Sequence, residues 1–330
     1  MKSNNNTKKI NLLPFTKDSL SKIISARKGE KKLGENIETY HNLKNAQYIF
    51  IGINEDIGPQ ANHGFPGASN GFKCFLSRFL NTQSNRFLNG NEICIYGTID
   101  TTYNFENIEK SRLDIKEIDD FITNLLTGIE SKEKTFILIG GGHNNAYPII
   151  KSIFKKTNSK VDIVNLDPHA DCRPLEGRHS GNPFSYANEE GFINNYTVLG
   201  LHEQFNSEQI YNYLDTNKFH YTFFEDCINN KVKLIEDISN VLRKRQKSVP
   251  IGFEIDLDSI AFMPSSAYTP SGFSIEDIRL YAQQIGREDN ISYLHLPEAA
   301  PTNNLEEKIV GKTLTYIVLD FIKANKRKTE

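Results

Sequence analysis

Along the chain, short runs of uninterrupted apolar residues alternate with longer stretches in which apolar residues recur every three or four positions. The runs are residues 46–53 (AQYIFIGI), 92–97 (EICIYG), 135–140 (TFILIG), 161–166 (VDIVNL), 197–201 (TVLGL), 218–224 (KFHYTFF), 249–255 (VPIGFEI) and 291–296 (ISYLHL). Most are continuous rather than alternating, which is how strands buried on both faces read. Between several of them a helical period holds. Ile118, Phe121, Ile122, Leu125 and Leu126 share one helix face, as do Leu234, Ile235, Ile238 and Leu242, and again Ile309, Val310, Ile317, Val318 and Phe321. Strands alternating with helices predict a three-layer α/β/α domain, with a mainly parallel sheet of about eight strands covered on both faces. Residues 1–45 are polar and rich in Lys and Asn, and read as an N-terminal arm, irregular or helical. Residues 46–330 read as one domain, since no Gly/Ser- or Pro-rich linker and no internal repeat divides them.

Composition narrows the partners. A chain of 330 residues is long enough to bury a substantial core. Lys plus Arg (39) nearly balance Asp plus Glu (41), for a formal net charge of −2. That gives no general electrostatic case for nucleic acid or an anionic membrane. The basic end KANKRKTE reads as a solvated tail. Four cysteines stand far apart without a C-x-x-C pair, which argues against a disulfide framework or zinc ribbon and suits a reducing cytosol. No stretch resembles a signal h-region or a membrane span. The expectation is a cytoplasmic protein with a small-molecule substrate.

Ligands of open α/β sheets bind beyond the carboxyl ends of the strands. The unusual polar clusters fall there. The third run continues as Gly140-Gly141-Gly142-His143-Asn144, and the fourth as Asp167-Pro168-His169-Ala170-Asp171. The seventh ends in Asp256-Leu257-Asp258, and the eighth leads to Pro297-Glu298. In an extended segment residues two apart point the same way, so Asp167, His169 and Asp171 can face one centre, and Asp256 and Asp258 repeat the device. Two imidazoles and four carboxylates form a hard, anionic cage suited to Mn2+, with Ni2+, Co2+, Fe2+ or Zn2+ as competitors. Two cations sharing such carboxylates ready a water for attack at neutral pH. A lone His after a glycine turn is usually just a satisfied polar residue, and an isolated D-x-D is often a cap. The D-x-H-x-D run is harder to dismiss, because three ionisable groups at a buried strand end repel one another without a partner. Cys172 is left out as too soft for its neighbours.

GGGHN (140–144), DPHAD (167–171) and FEIDLDSIA (253–261) resemble, in order, the G-G-D-H-S, D-A-H-x-D and S-x-D-x-D-x-x-D-P signatures of the arginase–agmatinase–formimidoylglutamase superfamily. The resemblance spans roughly residues 46 to 321. It implies an arginase-like fold, a homo-oligomer, and two manganese ions per subunit held by His143, Asp167, His169, Asp171, Asp256 and Asp258. Gly142 stands where arginases carry Asp, and Ser180-Gly181-Asn182-Pro183-Phe184 is similar to the S-G-T-P-F of formimidoylglutamases. The last motif lacks its closing Asp-Pro. The implied reaction is hydrolysis of an amidine C–N bond, with N-formimidoyl-L-glutamate of histidine degradation giving glutamate and formamide. In it Asp171 takes the proton of the attacking water and passes it to the leaving amine, and Glu298 holds the substrate's N–H groups. A substrate with two carboxylates calls for donors, for which Arg178 and Asn182 lie in the right loop, with Arg173 and His202 as further candidates. His179 lies beside, but out of register with, the position of the histidine thought to shuttle protons in arginases. Two alternatives stand: a related ureohydrolase releasing urea from arginine, agmatine, guanidinobutyrate or guanidine, and a non-catalytic binding or scaffold protein that kept the fold.

Overall fold

The structure, a computed structural model, describes residues 9–103 and 105–327. The opening segment supplies β1 (Ile10–Pro14), helix α1 (Lys17–Ser21) and β2 (Glu38–Thr39). Each of the eight apolar runs then forms a strand: β3 (Tyr48–Asn54), β4 (Ile93–Thr101), β5 (Thr135–Ile139), β6 (Val161–Leu166), β7 (Ile193–Leu201), β8 (His220–Phe223), β9 (Ile251–Ile255) and β10 (Ile291–Leu296). The remaining helices are α2 (Ile57–Ala61), α3 (Gly71–Phe79), α4 (Ile108–Gly128), α5 (Ala146–Thr157), α6 (Pro183–Glu189), α7 (Glu208–Thr216), α8 (Phe224–Asn229), α9 (Lys233–Lys244), α10 (Ile275–Gly286) and α11 (Asn304–Arg327).

The strands make one sheet in the order β1-β4-β3-β5-β10-β9-β6-β7-β8, with β2 also on β4. Every pairing is parallel except β1 with β4. The fold is thus a mainly parallel α/β/α domain, with ten strands among the described residues rather than about eight. The difference lies in the opening arm, read as irregular or helical. In β1 only Ile10 is buried, and β2 has two residues, so neither carries a period that a sequence could reveal.

Strand alternation sorts side chains onto two apolar layers. Along β3, Tyr48 and Phe50 face one layer, whereas Ile49, Ile51 and Ile53 face the other. The first layer is closed by α3, α9, α10 and α11 through Phe72, Phe75, Ile238, Tyr281, Leu314 and Phe321. The second is closed by α4, α5, α6 and α7 through Ile118, Ile122, Ile149, Phe184 and Leu214. Because both sheet faces are covered, neither needs polar residues, which explains the continuous runs. The basic end is less loose than expected. It continues α11 to Arg327, where Asn325 accepts from the Tyr48 hydroxyl and donates to the Gly286 carbonyl, and Lys326 pairs with Glu92. Residues 1–8 of the arm and 328–330 of the tail lie outside the described residues. Among those described, no helix is long and apolar enough to cross a membrane.

The sheet order places the site. From β5 the chain passes over two strand positions to β6, and β9 and β10 later fill them. The carboxyl ends of β5, β10, β9 and β6 therefore stand side by side, a topological switch point of the kind that binds ligands.

Candidate metal centre

Each sequence cluster leaves its strand at that rim. After β5, Gly140 and Gly141 turn the chain with φ of +90° and +72°. The turn brings His143 onto a short 3-10 turn, 0% exposed. Two buried carboxylates fix this turn. Glu298 accepts from the His143 backbone N–H at 2.6 Å. Glu55 accepts from the Gly142 N–H at 2.9 Å and from the Asn144 and Asn145 side chains at 3.2 and 2.6 Å. Gly142 packs so closely on α2 that a Cβ there would fall 2.3 Å from Pro59 Cδ. A larger residue at this position requires that turn to move.

The D-x-H-x-D run is not the extended segment expected from its spacing. It bends just past β6, and Asp171 adopts a left-handed φ of +47°. The side chains nevertheless converge. Each of two aspartates uses one oxygen as a local cap and turns the other inward. Asp167 Oδ1 accepts from the His169 N–H at 2.7 Å while Oδ2 lies 3.2 Å from His143 Nδ1. Asp256 Oδ1 accepts from the Asp258 N–H at 2.7 Å while Oδ2 lies 2.9 Å from the same nitrogen. Asp171 Oδ2 stands 2.9 Å from it as well. Each aspartate thus caps the local backbone with one oxygen and turns the other towards His143.

These four residues offer ligand atoms that all lie within 4.8 Å of one another. A looser second group adjoins them, with His169 Nδ1 at 3.5 Å from Asp167 Oδ1 and 3.9 Å from Asp258 Oδ2. The donor set fits divalent cations. His143 Nδ1 is buried without a hydrogen-bond partner and faces three carboxylate oxygens. Burial and the Asp167 charge push Asp171 up to about 6, and burial with Asp258 and Asp167 raises Asp256 well above the usual range. Burial pulls His169 down, but Asp167, Asp258 and Asp171 drive it up to about 10. Such a cluster of buried carboxylates is costly until a cation neutralises it.

The cage opens into a cavity of about 560 Å³ lined by His169, Asp171, Asp256, Asp258 and Glu298. Glu298, held at φ +69°, also accepts from the Ser266 hydroxyl, and burial together with Asp258 pushes it up to about 8. Arg173 lines the same cavity with its side chain 54% exposed, held at Nε and a terminal nitrogen by Glu176.

The other expected substrate contacts are not brought there. Arg178 is 2% exposed, and its guanidinium donates to Asp119, to Asn182 Oδ1 and to the Asn144 carbonyl, all at 2.8–2.9 Å, while covering the Tyr147 ring. Asn182 is equally buried and braces the loop by donating to the Gly177 carbonyl. His202 is sandwiched between Phe205 and Phe224. His179 accepts from the Gly181 N–H at Nδ1 and sits 3.1 Å from Glu176 at Nε2, so it has no face to the cavity for proton shuttling. All four are corrected from substrate or shuttle positions to bracing ones. Sequence reasoning missed Glu55, which sits in a Gly/Pro-rich loop with no periodic signal. It also missed Glu254, although Glu254 on β9 lies two residues before Asp256, which follows the strand.

A family model described as the Arginase family matches residues 46–322. A formimidoylglutamase of Staphylococcus aureus (strain MSSA476) is 26% identical over 197 residues, which cover 59% of this chain and 63% of the relative. The match thus spans less than two thirds of that relative's length. The crystal structure of formimidoylglutamase from Bacillus subtilis superposes with a TM-score of 0.76 at 18% identity, covering 93% of this chain and 95% of the other. Trypanosoma cruzi formiminoglutamase, solved with Mn2+, gives 0.70 at 20% identity over 88% and 98%. Proclavaminate amidino hydrolase from Streptomyces clavuligerus gives 0.68 at 15% identity over 91% and 98%. At these identities the structural likeness is one of fold.

Proposed function

The chain belongs to the arginase family, and from that premise we propose that it is a binuclear-metal hydrolase of an amidine C–N bond, acting on N-formimidoyl-L-glutamate. The observation that carries the reading is the convergence of His143, Asp167, Asp171 and Asp256 on one point, with His169 and Asp258 beside them, at the floor of a cavity. Formimidoylglutamases among the sequence relatives favour the substrate. His143, Asp167, His169, Asp171, Asp256 and Asp258 would hold two divalent cations, Mn2+ first among the candidates, which would supply Lewis-acid charge to the site.

The chain's own residues do the rest. Asp171, on the cavity wall, takes the proton released as water adds to the formimidoyl carbon. It returns that proton to the glutamate nitrogen as the C–N bond breaks, so that water and substrate become formamide and glutamate. Glu298 accepts N–H groups of the planar formimidoyl unit at the cavity floor. Arg173 takes over from Arg178 as the cation facing a substrate carboxylate, because its guanidinium is the one that reaches the cavity.

The test is an assay of Mn2+-loaded protein against formimidoylglutamate and a series of guanidino compounds, scoring formamide and urea separately. Formamide release from formimidoylglutamate is the expected result. Urea from a guanidino compound, with formimidoylglutamate untouched, transfers the site to another ureohydrolase reaction. Absence of turnover on every substrate refutes the catalytic reading.

A further inference from the structure

Beneath the cage lies a second buried set of ionisable groups that the reaction does not use. Glu254 on β9 and Tyr293 and His295 on β10 are all 0% exposed. His295 and Glu254 are register partners across the two parallel strands, and His295 Nδ1 lies 2.6 Å from Glu254 Oε2. The Tyr293 hydroxyl donates to Glu254 Oε1 at 2.8 Å. Its ring lies over Gly252, the residue paired with it on β9, where a Cβ would fall 2.1 Å from the ring. The last member is His143, whose Nε2 faces Glu254 Oε2 at 3.5 Å without a hydrogen bond between them, while its Nδ1 faces the cage.

A carboxylate, an imidazole and a phenol inside a sheet are a poor way to stabilise a core, since well-packed apolar residues of similar volume do at least as well. What distinguishes the set is its contact with His143. A neutral imidazole carries one N–H, and the group facing one nitrogen decides which nitrogen keeps a lone pair. We propose that Glu254, held by Tyr293 and His295, is a positioning residue for the metal centre: it keeps the His143 proton on Nε2 and leaves the Nδ1 lone pair for the cation. A carboxylate behind a ligating histidine also raises its basicity, and losing such a partner weakens metal binding. The inference rests on the metal-centre reading above.

Mn2+ titration calorimetry on the wild type, E254Q and Y293F tests it, with the thermal transition of each metal-free protein recorded separately. E254Q keeps the shape and removes the charge, and its Mn2+ affinity is expected to fall roughly 10–100-fold. Y293F keeps the ring over Gly252 and removes one hydrogen bond, for a loss of about fivefold. The Co2+-loaded E254Q protein is expected to show shifted d–d bands, which report a changed ligand field at the metal. Should E254Q fail to fold, Y293F decides. Variants that are folded, or merely less stable, and bind Mn2+ within twofold of the wild type overturn the inference and leave the function intact. A wild type that binds no Mn2+ overturns the function and this inference with it.

Discussion

At the residue scale the site separates two arginines that a sequence could not tell apart. Both lie in the loop after Asp171, but Arg173 faces the cavity and Arg178 is sealed beneath it against Asp119, Asn182 and the Asn144 carbonyl. R173A is expected to raise KM for formimidoylglutamate at least about tenfold with kcat little changed, since a charged hydrogen bond is worth about 1.5–3 kcal/mol. R178A instead strands a buried Asp119 and is expected to cost about 3–5 kcal/mol of folding stability. Steady-state kinetics and urea unfolding on both variants check the pair, and a pure KM effect in R178A would contradict the placement. His179 adds a pH dependence. Its Nδ1 already accepts from the Gly181 N–H, so protonation would set two N–H groups against each other, and burial with Arg112 holds it down at about 4. The unfolded chain takes up this proton near pH 6.5 and the folded chain only near 4. Stability from this residue is therefore fully present above pH 6.5 and is lost as pH falls towards 4, by up to about 3 kcal/mol. Unfolding free energies of wild type and H179N at pH 7 and pH 4.5 isolate it; equal losses in both would refute it.

At the element scale, what the sequence made legible follows from how each element is stabilised. Strands β3 to β7, β9 and β10 are buried on both faces over most of their length and announce themselves as apolar runs, whereas the edge strand β8 is only partly buried. The convergence of the proposed metal ligands is legible for a related reason: each lies in the loop that follows such a run, so placing the strand places the residue. Glu55 was not legible as a site residue although it directly follows β3, because nothing in its loop marks where the side chain points. For the same reason Arg173 was legible only as a further candidate behind Arg178. β1 was hidden because it buries only Ile10 fully and Leu12 in part, the rest of its hold being backbone pairing from Ile10–Thr101 to Pro14–Gly97. Its role is to cover the outer edge of β4, which would otherwise present unpaired N–H and C=O groups. Removal of residues 1–14 is expected to lower the melting temperature and cause concentration-dependent aggregation while leaving kcat unchanged, as β4 stands two strands away from β5. Light scattering with kinetics on the truncated protein tests this; a collapse in kcat without aggregation would show that β1 acts on the site.

At the scale of the whole molecule, the cage ties together parts of the chain that the sheet alone joins only side by side. Its proposed ligands come from the loops after β5, β6 and β9, so an unfolded chain would offer no preformed site, and cations would bind the folded state selectively. Saturation at 100 times the dissociation constant stabilises by about 2.7 kcal/mol per site. For a chain of this size each site is then expected to raise the melting temperature by on the order of 5 °C. Calorimetric scans in Mn2+ and in EDTA measure the difference, and identical transitions would show that the cage holds no metal. Proton release gives a second and independent sign. Asp171 and Asp256 are pushed up by burial and by one another's neighbours, and His169 is pushed up by the carboxylates around it, so near neutral pH the metal-free cage retains protons that a cation must displace. Binding enthalpies measured in buffers of different ionisation heat are expected to differ in proportion to that release. The count of released protons falls as pH rises through the range where His169 would lose its own, near pH 10. A binding enthalpy independent of buffer would mean that the carboxylates are already balanced from within the chain, and the electrostatic case for the cage would fail.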